Sequence, residues 1–133
     1  MDDRQLKYLD MLQAVIARMA GNQFTCRTWS VTIGTALIGY AIAKDSKPEA
    51  ALLAILPAVC FWVLDAYYLA LERGFRTRFD AALKQGEDDA SFNFHVSVSA
   101  AQYLRAALSL AVWVVHLPVV CLALIVGRRL WLK

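Results

Sequence analysis

The chain has 133 residues, of which 59% are hydrophobic and only 19% are charged, with a formal net charge of +3 at pH 7. Soluble domains carry about 45–50% apolar and about 25% charged residues, so the composition indicates a membrane protein rather than a soluble one. The length allows a single domain, residues 1–133. The first 20 residues are charged and lack an apolar core, so no cleavable signal peptide is predicted.

Residues 4–22 are predicted to form an amphipathic cytoplasmic helix. The apolar stripe of this helix follows helical spacing and consists of Leu9, Leu12, Ile16 and Met19. A second face is mainly basic and consists of Arg4, Lys7, Met11 and Arg18. Because only Gly21 and Asn22 interrupt the pattern, we expect the helix to continue into the membrane.

The first predicted span covers residues 24–43. Its uncharged part has only 16 residues, which is short for a bilayer core that takes about 20 helical residues. We therefore extend the span back to Phe24, with Arg27 reaching the lipid headgroups. Small polar residues share one face of the span, namely Thr28, Thr32, Thr35 and Gly39. Such a face favours close helix packing, and a conduction path is the alternative.

The second predicted span, residues 50–71, contains one proline and one carboxylate. Pro57 is tolerated in a membrane helix when neighbouring groups bond the freed carbonyl. Asp65 lies near the far end of the span and needs a cation. Three arginines lie on the same side: Arg18, Arg27 and Arg73. We expect Asp65 and Glu72 to form structural ion pairs, with Arg76 as the partner of Glu72 at i+4. Control of conformation through the Asp65 pair is the alternative.

Residues 72–105 are predicted to be cytoplasmic and mostly helical. The apolar stripe that leaves the second span consists of Tyr68, Leu71, Phe75 and Phe79. An acidic, glycine-containing turn at 85–90 ends this helix. Residues 91–99 alternate as a strand does, but one strand cannot form a sheet, so we expect an extended segment laid against the helices. Ser99 and Gln102 have the spacing of a capping box that opens the last helix.

The third predicted span, residues 106–127, is the most apolar. The 22 residues between Arg105 and Arg128 include no Asp, Glu, Lys or Arg, and His116 is the residue there that can carry a charge. One interpretation places His116 on a pore or a subunit interface, because ionisable residues in a span seldom face lipid. The other is a neutral imidazole that bonds a neighbouring helix. Pro118 permits a bend, which is either a hinge or a static kink.

Three spans place the two termini on opposite sides of the membrane. Nine basic residues lie on the side of the N-terminus: Arg4, Lys7, Arg18, Arg27, Arg73, Arg76, Arg78, Lys84 and Arg105. Five lie on the other side: Lys44, Lys47, Arg128, Arg129 and Lys133. The positive-inside rule therefore predicts a cytoplasmic N-terminus and an external C-terminus.

No catalytic or metal-binding pattern is found. His95 and His116 stand alone, without a cysteine or carboxylate at metal spacing. The chain has no GxSxG, no P-loop and no dinucleotide fingerprint. We therefore expect neither an enzyme nor a metal or other cofactor. The three cysteines are interpreted as reduced packing residues: Cys26, Cys60 and Cys121.

Basic residues are the candidates for ligand binding. They are Arg73, Arg76 and Arg78 after the second span, with Arg4, Lys7 and Arg18 on the first helix. One interpretation is attraction to anionic lipid, worth about 1 kcal/mol per residue near the surface. The other is a phosphate-binding site, since arginine offers bidentate recognition of phosphate. The pattern leaves both open.

Three segments, YLDMLQAVIARMAGNQF, RTWSVTI and FWVLDAYYLALERGFRTRF, resemble a family of small bacterial membrane proteins found beside antiphage defence genes. The resemblance covers residues 8–105. Its clearest signature is Leu64-Asp65, Tyr67-Tyr68, Glu72-Arg73 and Phe75-Arg76. The family is similar to transmembrane effectors of nucleotidyltransferase-linked systems, including the Hailong type. The resemblance implies an oligomeric channel of the bacterial inner membrane, which depolarises the infected cell under control of a nucleotide or oligonucleotide from a partner nucleotidyltransferase. Arg73 and Arg76 lie in the matched cytoplasmic segment.

We expect a homo-oligomer in the lipid membrane, as a tetramer, with the third span along its axis. The predicted pore and gate residues are Ser109, Trp113, His116, Val120, Arg128 and Arg129. An apolar constriction of this kind can gate by dewetting, and the two terminal arginines favour anions. The alternative is a non-conducting anchor or adaptor whose cytoplasmic helices bind a partner protein. A proton-coupled transporter fits poorly, because it needs more buried titratable groups and an internal repeat.

Overall fold

A computed structural model of the chain describes residues 3–43, 48–84 and 93–132. The helices in these ranges are α1 (Asp3–Ala43), α2 (Pro48–Leu52), α3 (Ile55–Lys84), α4 (Ala100–Ala107) and α5 (Leu110–Trp131). No strand occurs in the described residues. The predicted all-α class is confirmed.

The first helix is a single rod that joins the predicted amphipathic segment, residues 4–22, to the first predicted span. It has 41 residues and is therefore ~60 Å long at about 1.5 Å per residue. Gly21 does not interrupt it, although glycine lowers helix propensity by about 1 kcal/mol. α3 likewise continues without a break from the second predicted span to Lys84. Both continuations agree with the sequence prediction.

α1 and α3 run antiparallel along each other. Near the N-terminus of α1, the Gln5 side-chain amide donates to the Ala82 carbonyl at 3.0 Å. The core at this end contains Tyr8, Leu9, Leu12 and Ala82, with Phe75 and Phe79 packed against it. At the opposite end of the bundle, α1 meets α5 and the start of α3 through a second core. This core is formed by Ile38, Ala54 and Ala123, with Ile55 of α3 packed against it.

Two of the predicted spans are broken or shifted. A turn at residues 53–54 separates α2 from α3, so the prediction of one helix over 50–71 is wrong at its start. Pro57 has no N–H with which to bond the Leu53 carbonyl, which explains the break. The third span begins at Leu110 rather than 106. There the Trp62 indole N–H donates to the Ala107 carbonyl at 3.0 Å, a group that a continuous helix would use itself.

The chain before α5 follows the local prediction closely. Ser99 and Gln102 form the predicted capping box at the start of α4. Residues 93–99 are extended and lie against α3, as predicted, and a β-carbon at Gly74 would overlap the Val96 side chain. The Arg78 guanidinium donates to the His95 carbonyl at 2.6 Å and holds the segment in place. The predicted acidic turn at 85–90 and the first two residues of the predicted extended segment, 91–92, lie outside the described residues.

Two regions are long and apolar enough to cross a membrane, Pro48–Lys84 and Leu110–Trp131. In each, only 28% of the most apolar window is buried inside the chain. The core helix of a soluble protein would be mostly buried, so these exposed apolar surfaces indicate membrane association. α1 is not among the apolar helices, and its crossing at residues 24–43 stays a prediction.

A buried polar network joins three helices

Seven polar side chains form a continuous set of hydrogen bonds between α1, α3 and α5. We call this set the polar network: Gln23, Arg27, Ser30, Asp65, Glu72, Arg76 and His116. In the described part of the chain, no buried side-chain nitrogen or oxygen lacks a hydrogen-bond partner. Buried polar groups are costly unless they are satisfied, so the network fixes the relative position of the three helices.

Asp65 is at the centre of the network and is fully buried. The Arg27 guanidinium donates Nε–H to its Oδ2 at 2.8 Å and Nη2–H to its Oδ1 at 3.2 Å. This two-point geometry is the strong form of an arginine–carboxylate pair. Of the three arginines available by sequence, Arg27 is therefore the partner that the structure gives to Asp65.

His116 is also fully buried and bonds α1 through one ring nitrogen and α3 through the other. Nε2–H donates to the Asp65 carboxylate at 3.2 Å. Because an ionised carboxylate only accepts, Nε2 is a protonated nitrogen of the ring. Nδ1 forms a hydrogen bond with the Ser30 hydroxyl at 2.9 Å. The Trp62 indole stacks on the imidazole, with ring planes 8° apart.

The position of His116 corrects one sequence interpretation. The His116 side chain is enclosed by helices of its own chain, so it does not face a pore within this fold. The interpretation of an imidazole bonded to neighbouring helices fits its two hydrogen bonds. Ser30 and Gln23 are network residues that the sequence analysis missed. Their spacing was a usable signal, because Gln23, Arg27, Ser30 and Gly34 recur at helical period on one face of α1.

Toward the N-terminal end of α1, a glutamine links the two ion pairs of the network. Arg27 donates Nη2–H to the Gln23 carbonyl oxygen at 3.2 Å. The Gln23 amide nitrogen in turn donates to the Glu72 carboxylate. Arg76 donates Nε–H to the same carboxylate at 2.8 Å, which is the i,i+4 pair expected from the sequence. Each carboxylate is matched by one guanidinium, so the network is neutral as a whole when His116 is neutral.

The network contains the residue types of a hydrolytic triad, but its geometry differs. In such triads the imidazole Nε2 faces the serine and Nδ1 faces the aspartate. Here Ser30 lies at Nδ1 and Asp65 at Nε2. The Ser30 hydroxyl is fully buried, so a substrate has no approach to it. The arrangement can hold helices together and can distribute charge, and it offers no nucleophile to solvent.

The three candidate ligand-binding arginines of α3 point to different places. Arg76 lies beside a groove between α1 and α3 that is also lined by Asp80. Arg78 holds the extended segment through the His95 carbonyl. Arg73 donates to the Ser109 hydroxyl at 3.1 Å and lines a groove with Arg105. The expectation of one cluster formed by all three is therefore not met. Arg78, two residues after Arg76, lies on another side of the helix, and Arg73 and Arg76 bond different partners.

The threonine face of α1 is directed away from the core. Thr28, Thr32, Thr35 and Gly39 are all exposed. The buried face of the span is formed instead by Cys26, Ser30, Gly34, Ile38 and Ala41. A β-carbon at Gly34 would overlap the Val119 side chain, whereas nothing lies within 4 Å of one at Gly39. The expectation that the threonine face packs the helices of one chain is therefore wrong.

The remaining predicted pore residues do not form one surface with His116. Trp113 is 40% exposed and Val120 is half-buried. Ser109 is the N-cap of α5 and is held by Arg73. Arg128 and Arg129 are exposed at the far end of α5. The face of α5 that packs in the bundle consists of Val112, His116, Val119, Ala123 and Gly127.

Among residues 3–43, 48–84 and 93–132, no group of three His, Cys, Asp or Glu side chains can hold a metal ion. Cys26 is buried, Cys60 and Cys121 are exposed, and all three are free thiols. Functional inference therefore rests on the contacts and exposed faces of the helices. No protein family, curated protein or solved structure matches the chain.

Proposed function

We propose that the protein is an antiphage-defence effector that forms an oligomeric ion channel in the bacterial inner membrane, with α1 rather than α5 along the central axis. The N-terminus lies in the cytoplasm, as the distribution of basic residues favours. The ligand that controls the channel is a nucleotide or oligonucleotide from a partner nucleotidyltransferase. The observation that carries the channel proposal is the exposed face of α1.

The crossing of residues 24–43 is supported by what they pack against. Gly34 meets Val119 in the middle of α5, and Ile38 shares a core with Ala54 and Ala123. Because α3 and α5 are apolar enough to cross a membrane, a helix packed against both at these levels crosses with them. Exposed apolar side chains on the same part of α1 are suited to lipid: Phe24, Trp29, Val31, Tyr40 and Ile42.

The outermost face of this span carries small and hydroxyl-bearing side chains, which allow another helix to approach closely. The hydroxyls of Thr25, Thr28 and Thr35 donate to the carbonyl four residues earlier in α1. Hydroxyl-bearing and small residues recur at alternating steps of three and four, as Thr25, Thr28, Thr32, Thr35 and Gly39. All five are exposed, on the side of α1 opposite the buried face that contains Ser30 and Gly34. Polar faces of membrane helices meet other helices or a water-filled cavity. A second copy of the chain around a shared axis provides both.

The same spacing continues into the cytoplasmic half of α1. Its members there are exposed and include three cations: Arg4, Lys7, Met11, Ala14, Arg18 and Gly21. Symmetry-related copies of this face would place a hydroxyl-lined path above a basic vestibule. A basic vestibule raises the local concentration of anions and can bind the phosphates of a nucleotide ligand. Anion preference and ligand control therefore follow from one surface.

A non-conducting adaptor is the second candidate. The observation that favours it is the exposure of Leu6, Met11 and Leu83 near the cytoplasmic end of the α1–α3 pair, where a partner protein can cover them. In either case we propose a non-enzymatic protein, which is supported by the inaccessible Ser30 hydroxyl and the absence of a catalytic motif in the sequence.

The test is planar-bilayer recording of the purified protein, with short oligonucleotides of each base added to the side of the N-terminus. Thr32→Leu should lower the single-channel conductance at least about twofold, because a larger apolar side chain narrows and dries the path. Val31→Leu is the matched control, since Val31 is the adjacent exposed residue on another face. Protein that never passes current, with or without oligonucleotide, would refute the channel.

A further inference from the structure

We infer that a phosphate-binding site lies between α3 and α4, beside the start of α5, with Arg73, Thr77, Gln102 and Arg105 as its polar groups. The site is separate from the basic face of α1. It does not depend on conduction, on oligomerisation or on the identity of the nucleotide ligand. It brings in three residues that sequence analysis did not single out for binding: Thr77, Gln102 and Arg105.

The site is a groove of about 210 Å³ lined by Ala70, Arg73, Gly74, Thr77, Gln102 and Arg105. Two of these side chains are guanidinium groups and none is a carboxylate. A second groove of about 340 Å³ shares Gly74, Thr77 and Gln102 with the first and adds Arg78, His95 and Ser97. The two grooves are therefore contiguous, and the combined surface is rich in hydrogen-bond donors and has no acidic lining residue.

The charges in the groove are not compensated by the protein. Arg105 has no hydrogen-bond or ion-pair partner in the described ranges, and Arg73 bonds the neutral hydroxyl of Ser109. The carboxylate next to Arg73 in sequence, Glu72, is bonded by Gln23 and Arg76 on the other side of α3. Two like charges that line one small groove repel each other, and a bound anion removes that repulsion.

The chemistry of the groove suits a phosphate group. Planar guanidinium groups bind phosphate oxygens at two points, and the side-chain NH₂ of Gln102 provides a neutral donor. The Thr77 hydroxyl donates to the Arg73 carbonyl at 3.0 Å and gives the groove a polar wall. The bound group is a phosphate ester or a free phosphate. At least two of its oxygens, which share one or two negative charges, are accessible to the guanidinium groups.

The position of the site allows two sources for that phosphate. Arg73 follows the apolar part of α3, and Arg105 precedes the apolar part of α5, so both lie where a membrane-crossing helix meets the headgroups. An anionic lipid can supply the phosphate there, and so can a soluble phosphate compound from the cytoplasm. The chemistry of recognition is the same in both cases, and the experiment separates them.

The test uses the full chain purified in dodecyl maltoside, with Arg105→Gln as the variant and Lys84→Gln as the control. Lys84 is exposed at the end of α3 and lines neither groove. In the lipid arm, native mass spectrometry compares retention of phosphatidylglycerol with that of phosphatidylcholine. In the soluble arm, isothermal titration calorimetry measures the binding of sodium pyrophosphate. Circular dichroism verifies that both variants are folded.

Loss of one charge-assisted contact should weaken binding about tenfold. Weaker retention of phosphatidylglycerol by Arg105→Gln but not by Lys84→Gln supports a lipid headgroup site. Weaker binding of pyrophosphate by Arg105→Gln but not by Lys84→Gln supports a site for a soluble phosphate compound. If the variant and the control match the wild type in both arms, the site is refuted. Neither arm measures current, so failure here and failure of the channel proposal are distinguishable.

Discussion

Replacing Asp65 with asparagine removes the charge on which the polar network converges while keeping the shape of the side chain. The carboxylate accepts two hydrogen bonds from Arg27, at 2.8 and 3.2 Å, and one from His116 at 3.2 Å. An amide can accept at one oxygen only, and its NH₂ group would face a donor. We therefore expect Asp65→Asn to destabilise the contact of α3 with both α1 and α5.

The expected loss in the free energy of unfolding follows from the burial of the ion pair. Removing one partner of a buried ion pair costs about 3–5 kcal/mol, because the other charge is left unpaired. The Arg27 side chain is 28% exposed and can move toward the headgroups, so Asp65→Asn should lie near the lower end, about 3 kcal/mol. Arg27→Gln strands the carboxylate, which has no exposure, so it should lie near the upper end, about 5 kcal/mol.

The assay is reversible unfolding in mixed micelles of dodecyl maltoside and sodium dodecyl sulfate, followed by tryptophan fluorescence. The double variant Arg27→Gln with Asp65→Asn removes both charges together. It should be less destabilised than the sum of the single variants by about 1–3 kcal/mol, since residues in one network couple. Additive single effects, or a loss below about 1 kcal/mol for Asp65→Asn, would refute the role of the network.

Two further substitutions test the packing around the network. Gly34→Ala should destabilise the protein by about 1–3 kcal/mol in the same unfolding assay, because the added β-carbon would overlap Val119 of α5. Gly21→Ala, where the added β-carbon has open space, should stabilise it by up to about 1 kcal/mol. Equal effects of the two substitutions would contradict the close approach of α1 and α5 at Gly34. Trp62→Phe should lower the free energy of unfolding by about 1 kcal/mol and speed hydrogen exchange in α4, because the donor to the Ala107 carbonyl is lost. Trp29→Phe, at an exposed site, should change neither.

Local patterns predicted the features that depend on neighbours in the sequence. The capping box at Ser99 and Gln102, the i,i+4 pair of Glu72 with Arg76 and the extended segment before α4 all depend on neighbours in the sequence, and all are present. The break before α5 was not predicted. It depends on Trp62, which lies 45 residues away from the carbonyl that it bonds.

The orientation of helix faces was the main failure. α1 carries two faces of small and polar residues, one with Ser30 and Gly34 and the other with Thr28 and Thr32. Periodicity shows that both exist, but it does not show which one faces the core, since that depends on the side chains that α5 presents. His116 and Val119 make the choice, because one bonds the Ser30 hydroxyl and the other fills the space at Gly34.

The measurement that tests the central claim most directly is the accessibility of Thr32 from the conducting path. Thr32→Cys and Val31→Cys are prepared in a background without native cysteines and recorded in planar bilayers. A charged, membrane-impermeant thiosulfonate reagent should reduce the current of Thr32→Cys by more than about half and leave that of Val31→Cys unchanged. Block of Val31→Cys alone, or equal sensitivity of the two variants, would contradict the placement of the exposed α1 face on the channel axis.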